Sequence, residues 1–191
     1  AMVHAIEAYT SKIKKNVVSD CLARQALELL GANIRQVCEK PNDRNARANM
    51  LLGSMLAGMA FANSPVAAVH ALAYPLGGHF HVPHGLSNAL VLPHVMDYNM
   101  PAASAQYLEL ADLCFPELKG VATGKKLDSL LEKTSSLSKD LGLESTLREV
   151  GVTENDLELL AGDAMKQTRL LINNPKEMTY DAALAIYQRA L

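Results

Sequence analysis

The sequence predicts an all-α domain, and three observations carry that expectation. Apolar residues recur at helical spacing along nearly every segment, alanine and leucine are prominent in an apolar content of 49%, and no segment alternates convincingly as a half-buried strand does. With no tryptophan and only 5% aromatic residues, the core of this 191-residue chain must be aliphatic. No long Gly/Ser/Pro linker divides it, so residues 1–191 read as a single helical domain.

The first helix is expected over residues 1–13. AMVHAIEAY opens without a Ser, Thr, Asp or Asn to cap it, so the chain reads as entering a helix part-way, like a piece of something longer. A second helix is expected over 17–38, stopping near Lys40-Pro41. Asp43 can cap a third, which carries MLLGSMLAGMAF. That run is apolar nearly all round, so the helix is expected to be central and buried, with Gly53, Ser54, Ala57 and Gly58 letting a neighbour approach closely. Pro65 interrupts it, and a short helix over 66–74 should end at Pro75, Gly77 and Gly78. The next should start at His84, behind Pro83, and bend near Pro93. Further helices are expected over 102–114, 125–141, 153–167 and 179–190. Thr153 and Asp156 resemble a capping box, and Gly142 and Gly151 fit helix ends.

Charge and composition exclude several classes of function. A net charge of −2 gives no electrostatic support for a nucleic-acid or acidic-membrane partner, and no charge-free apolar run of about 18 residues is present to span a bilayer. Cys21, Cys38 and Cys114 are odd in number and widely spaced. They read as reduced, mostly buried thiols of a cytoplasmic protein rather than a disulfide frame or a thiolate metal site. No GxGxxG, GxxxxGK[ST] or GxSxG occurs in a strand-to-helix context, so the chain has no dinucleotide-binding half of its own.

The chemistry-bearing residues are histidines. His70 lies on an apolar helix with Tyr74 one turn along, and His84 is held by stiff backbone between Pro83 and Gly85. His4 is a third candidate, although a lone histidine on an apolar helix is more often a satisfied core residue. Neutral imidazoles from several helices suit a divalent transition metal, and three of them with no carboxylate beside them would leave coordination positions open, as catalytic sites do. The spacing fits neither a zinc finger nor HExxH. His79 and His81 read as entrance or solvated loop residues. His94, ten positions past His84, stands about 15 Å along the helix and cannot share a first shell with it.

AMVHAIEAYTS, then GMAFANSPVAAVHALAYPLGGHFHVPHGLSNALVLPHVMDYN, and the tail NNPKEMTYDAALAIYQRAL are similar to the iron-containing (group III) alcohol dehydrogenases. The resemblance covers essentially the whole chain and is most specific over residues 58–99. It implies the multi-helix C-terminal domain of the dehydroquinate synthase-like fold, with the nucleotide-binding α/β domain absent from this chain. It also implies three metal ligands, His4, His70 and His84. A fourth, an Asp four positions before His4, would fall just outside the sequence.

The resemblance further implies Fe(II), with Zn(II) second, and NAD or NADP bound mainly by the absent domain. The reaction implied is oxidation of an alcohol to an aldehyde or ketone and the reverse, so this chain alone should be inactive. Tyr74, where many members carry histidine, and His84 are implied to face the cofactor. A tyrosine there keeps a hydrogen-bonding tip but is a poor acid or base near neutral pH, which weakens any catalytic role for Tyr74. Phe61 and Leu170 are implied to line the substrate pocket. A small alcohol or aldehyde and the protein's own nucleotide-binding domain are the implied partners, and homo-oligomerisation is left open. Maleylacetate reductases and hydroxyacid–oxoacid transhydrogenases are relatives with similar helical domains. A helical metal-binding module without catalysis is the alternative from another class.

Overall fold

The computed structural model describes residues 1–191 and contains helices and turns but no strand. The α-helices are α1 (Met2–Thr10), α2 (Val17–Glu39), α3 (Arg44–Asn63), α4 (Ala68–Phe80), α5 (His84–Cys114), α6 (Thr123–Asp140), α7 (Leu157–Met165), α8 (Thr168–Leu171) and α9 (Tyr180–Ala190). Several boundaries follow from local chemistry. Asn16 and Ser19 form a reciprocal capping box on α2, and the Asp43 carboxylate accepts the Asn45 and Ala46 amides at the start of α3. Thr153 and Asp156 form the expected capping box, leading through a single 3-10 turn into α7. Thr179 caps α9, and Gly142 and Gly151 take the positive φ that ends their segments.

The centre of the fold is α5, not α3. Helix α5 packs against α1, α2, α4, α6 and α9, whereas α3 folds back on α2 as a hairpin and touches α1 along its other contact. Helix α3 buries only its small residues Ala46, Gly53, Ala57 and Ala60; Leu51, Leu52, Met55 and Met59 are exposed. Apolar residues all round therefore did not mean a buried helix. The stripe of small side chains supplies the packing face, because Gly53 lets the Leu30 side chain sit where a Cβ would be only 2.8 Å away. Gly58 has open space around it and serves no such approach. The tightest crossing is at Gly31 on α2, where a Cβ would meet the Leu113 carbonyl oxygen at 2.3 Å.

Two helix ends also differ from expectation. Helix α4 runs on through Pro75, Gly77 and Gly78 and stops at His81, which takes the left-handed conformation at φ 56°. Eight of its side chains are buried, and that packing outweighs the one hydrogen bond that Pro75 cannot make. The neighbouring Leu72 carbonyl is also bound by the Tyr187 hydroxyl at 2.6 Å. In α5 the chain passes Pro93 without a break. The non-helical residue is Ala103 (φ −131°), two positions after Pro101, so the expected pair of helices over 84–114 is one element kinked there.

The cysteines correct the thiol reading: only Cys114 is buried, while Cys21 and Cys38 are exposed and unpaired. The NNPK segment ties the tail to the site-bearing helices. Asn99 and Asn174 exchange amide hydrogen bonds at 2.9 and 2.7 Å, and Asn173 donates to the Val66 carbonyl at 3.1 Å. No single helix is long and apolar enough to cross a membrane.

Candidate metal centre

Three helices far apart in sequence deliver imidazoles to one point. Helix α1 supplies His4, α4 supplies His70, and the first turn of α5 supplies His84; one ligand nitrogen from each lies within 4.8 Å of the other two. His4 and His70 bring their Nε2 atoms to 3.1 Å. Metal–nitrogen bonds of about 2.0–2.1 Å put neighbouring donor atoms about 3.0–3.4 Å apart, so this pair already has the separation that a shared cation requires. His70 is 2% exposed and His84 is open to solvent, so the cluster has one buried wall and one accessible side.

Local folding fixes each ring. His70 is the third residue of α4, in a first turn whose Ala68, Val69 and Ala71 are all buried. His84 follows Pro83, and Asn88 one turn later donates to the His84 carbonyl at 2.8 Å while packing against its ring. The end of α3 is held to α1 by the Ser64 hydroxyl, which donates to the Ala8 carbonyl at 2.7 Å. That contact sets Phe61 over His4, with ring centroids 4.6 Å apart. Tyr74, 40% exposed, stands at the rim 6.4 Å from the His70 ring and 6.3 Å from the His84 ring.

The electrostatics favour the neutral form of His4 and His84. Burial, and then the His70 imidazole, pushes His4 down to about 3; burial and His70 lower His84 too. Neutral imidazole is the form that binds a metal. Three imidazole nitrogens within reach of one point, two of them already spaced as neighbouring ligands of one cation, fit a divalent transition metal.

A carboxylate does stand beside the histidines, against expectation. Glu7, 4% exposed, places Oε2 2.5 Å from His70 Nδ1 and accepts the Val69 amide on Oε1 at 2.7 Å. It touches the ring nitrogen that points away from the cluster, so it adds a support rather than a fourth donor. The signal was present in the sequence: Glu7 lies three residues after His4, on the same face of an otherwise apolar helix.

A sequence model of the Fe-containing alcohol dehydrogenase family, C-terminal, matches residues 1–191. The chain belongs to that family. It is 37% identical over 190 residues to the 1,3-propanediol dehydrogenase of Klebsiella pneumoniae, covering all of this chain and 49% of that protein. The crystal structure of a 1,3-propanediol oxidoreductase superposes with a TM-score of 0.92 at 36% identity, covering 100% of this chain and 49% of the other. A maleylacetate reductase from Rhizobium sp. strain MTP-10005 gives 0.79 at 27% identity, over 100% of this chain and 50% of the other. The chain thus spans about half the length of the relatives it matches, and its fold is that of the all-helical C-terminal domain of the iron-containing alcohol dehydrogenases.

The remaining candidates separate cleanly within this family domain. Leu170 on α8 is 7% exposed and belongs to the core behind α4, so it offers an open cleft little surface. His79 is part of α4 rather than a loop and clamps α4 to α7 through Asp163 at 2.6 Å. His81 closes α4. The His94 carbonyl accepts from Arg189, well along α5.

Proposed function

We propose that residues 1–191 form one helical domain, the metal-holding half of a cytoplasmic, NAD(P)-linked alcohol dehydrogenase that interconverts an alcohol with its aldehyde or ketone. The observation that carries this reading is the convergence of three imidazoles, His4, His70 and His84, on one point with an open side. Fe(II) is the metal proposed, by family, with Zn(II) as the alternative. When bound, such a cation supplies Lewis-acid polarisation of an alcohol or carbonyl oxygen. NAD or NADP, which a nucleotide-binding half of the protein would hold, would supply the hydride chemistry.

The residues of this chain divide the remaining work. His70, buried and supported from behind, is the anchoring donor, and His84 closes the triad from the solvent side, where it also faces the cofactor. Phe61 lies against His4 and gives the substrate an apolar wall. Leu170 acts on the pocket only by backing α4. Tyr74 offers a hydroxyl at the rim and an aromatic face to the nicotinamide, so it orients rather than transfers protons. The unpaired, exposed thiols Cys21 and Cys38 suit a reducing cytoplasm.

A second reading within the same chemistry is a maleylacetate reductase, favoured by the likeness to the Rhizobium enzyme. The test is steady-state assay of the full-length protein with NAD(H) and NADP(H) against 1,3-propanediol, longer alcohols, maleylacetate and 4-hydroxybutyrate, with metal content measured alongside. We expect about one metal per chain, turnover with alcohols, and loss of both in His70→Ala and His84→Ala. Residues 1–191 alone should not reduce NAD. Full metal and turnover in both variants would overturn the ligand assignment; full-length protein with metal but no redox activity would make this a binding module instead.

A further inference from the structure

We infer that Glu7 is a positioning residue that sets the tautomer of His70, so that the imidazole presents a lone pair, not a hydrogen, to the cation site. This rests on the metal reading proposed above. Glu7 and His70 are both almost completely buried, and His70 reaches Glu7 through Nδ1 and His4 through Nε2. A carboxylate only accepts hydrogen bonds, so it holds the His70 hydrogen on Nδ1 and leaves Nε2 as a lone pair. Nε2 is the nitrogen that lies 3.1 Å from His4 Nε2, inside the cluster.

The other carboxylate oxygen is committed as well. Oε1 accepts the Val69 amide in the first turn of α4, a helix whose N-cap, Ala67, has no side-chain acceptor to offer. Glu7 therefore caps α4 from a neighbouring helix and orients the ring that α4 carries. Two fixed donors on two oxygens make a demand that glutamine cannot meet. The Val69 N–H can only donate, so the amide oxygen of a Glu7→Gln variant must turn to it. The amide nitrogen then faces His70 Nδ1 and donates, which moves the ring hydrogen to Nε2 and points it at the cation site. The reverse orientation sets an N–H of the amide against the buried Val69 N–H, which is costly.

The isosteric substitution is thus expected to preserve the packing and invert the ligand. A purely structural cap would behave otherwise: its loss would lower stability and leave the tautomer alone. The experiment uses histidine-selective 15N labelling of the metal-stripped protein, with chelator-competition titrations of Zn(II) and Co(II). We expect the wild-type His70 signals to report Nδ1–H, and those of Glu7→Gln to report Nε2–H. We also expect metal affinity to fall about 10- to 100-fold in the variant, the range for loss of a hydrogen-bonding partner behind a ligating histidine. Glu7→Asp, which keeps two acceptor oxygens, should recover part of that affinity. Wild-type His70 found as Nε2–H would overturn the inference even if the variant does not fold, as would a Glu7→Gln protein with unchanged affinity. Wild-type protein that takes up no metal at all would remove the metal reading itself, and this inference with it.

Discussion

His4 illustrates how a single residue's surroundings define its chemistry. Its ring is partly covered by Phe61 and sits at hydrogen-bond distance from His70, and burial with the neighbouring imidazoles drives its proton affinity down to about 3. The consequence for stability has a definite sign. In the unfolded chain a histidine takes up a proton near pH 6.5, whereas folded His4 resists doing so until about pH 3. The unfolded state binds more protons over that interval, so the stability contributed by a neutral His4 is complete above about pH 6.5 and is lost as pH falls toward 3. Between pH 6.5 and 5 most carboxylates are still ionised, so the histidines dominate the slope. We expect the Tm of the metal-stripped protein to fall over this interval, and to fall less steeply in His4→Gln. Identical slopes in the two proteins would contradict a buried neutral His4. The residue types at 4, 70 and 84 were legible because histidine is scarce and its metal chemistry specific, but from the residues alone His4 read as an ordinary core histidine. Glu7 is legible only as a lone acid one turn from His4; its role is not, because its partners lie 62 and 63 positions away and come to it only through the fold.

Helix positions were largely legible from period and caps, and the errors all concern what packing does to a local rule. Proline and two glycines in α4 would end an isolated helix, yet eight buried side chains carry α4 past them. The apolar run in α3 read as buried, but its core-facing stripe is made of small residues and the large ones face outward. Glycines that look alike in sequence consequently have opposite roles. At Gly31, a Cβ would strike backbone atoms of Leu113 and Cys114 on α5 at 2.3–2.9 Å. Backbone cannot move aside as a flexible side chain can, so Gly31→Ala should destabilise by about 1–3 kcal/mol or more, despite alanine's better helix propensity. At Gly58, mid-helix in α3, nothing lies within 4 Å, so Gly58→Ala should stabilise by up to about 1 kcal/mol. Chemical denaturation of the two variants checks the pair: a Gly31→Ala protein as stable as wild type would show that the α2–α5 crossing is looser than described, and a destabilised Gly58→Ala would show that Gly58 is not open.

At the scale of the whole molecule, the proposed metal site is also a tie across the fold. Its donors come from α1, α4 and α5, and α5 is the helix on which most of the others pack. A cation that binds only the folded state must stabilise it by mass action, by about 2.7 kcal/mol at a free concentration 100 times its Kd. Chelation should therefore lower the Tm of the metal-loaded protein, and added Zn(II) or anaerobic Fe(II) should restore it. His84→Ala separates this linkage from ordinary packing. His84 is exposed, so its removal should change the metal-stripped Tm little, within roughly 0.5 kcal/mol of stability. The same substitution takes away one of three donors, so metal should no longer raise the Tm by a comparable amount. His70→Ala would lower both values, because His70 is buried and its loss leaves the Glu7 carboxylate without its ring partner. Two histidines with the same proposed function are thus expected to differ in a thermal melt done without metal, and that difference follows from where the fold puts them: one in the wall of the cluster, the other at its mouth.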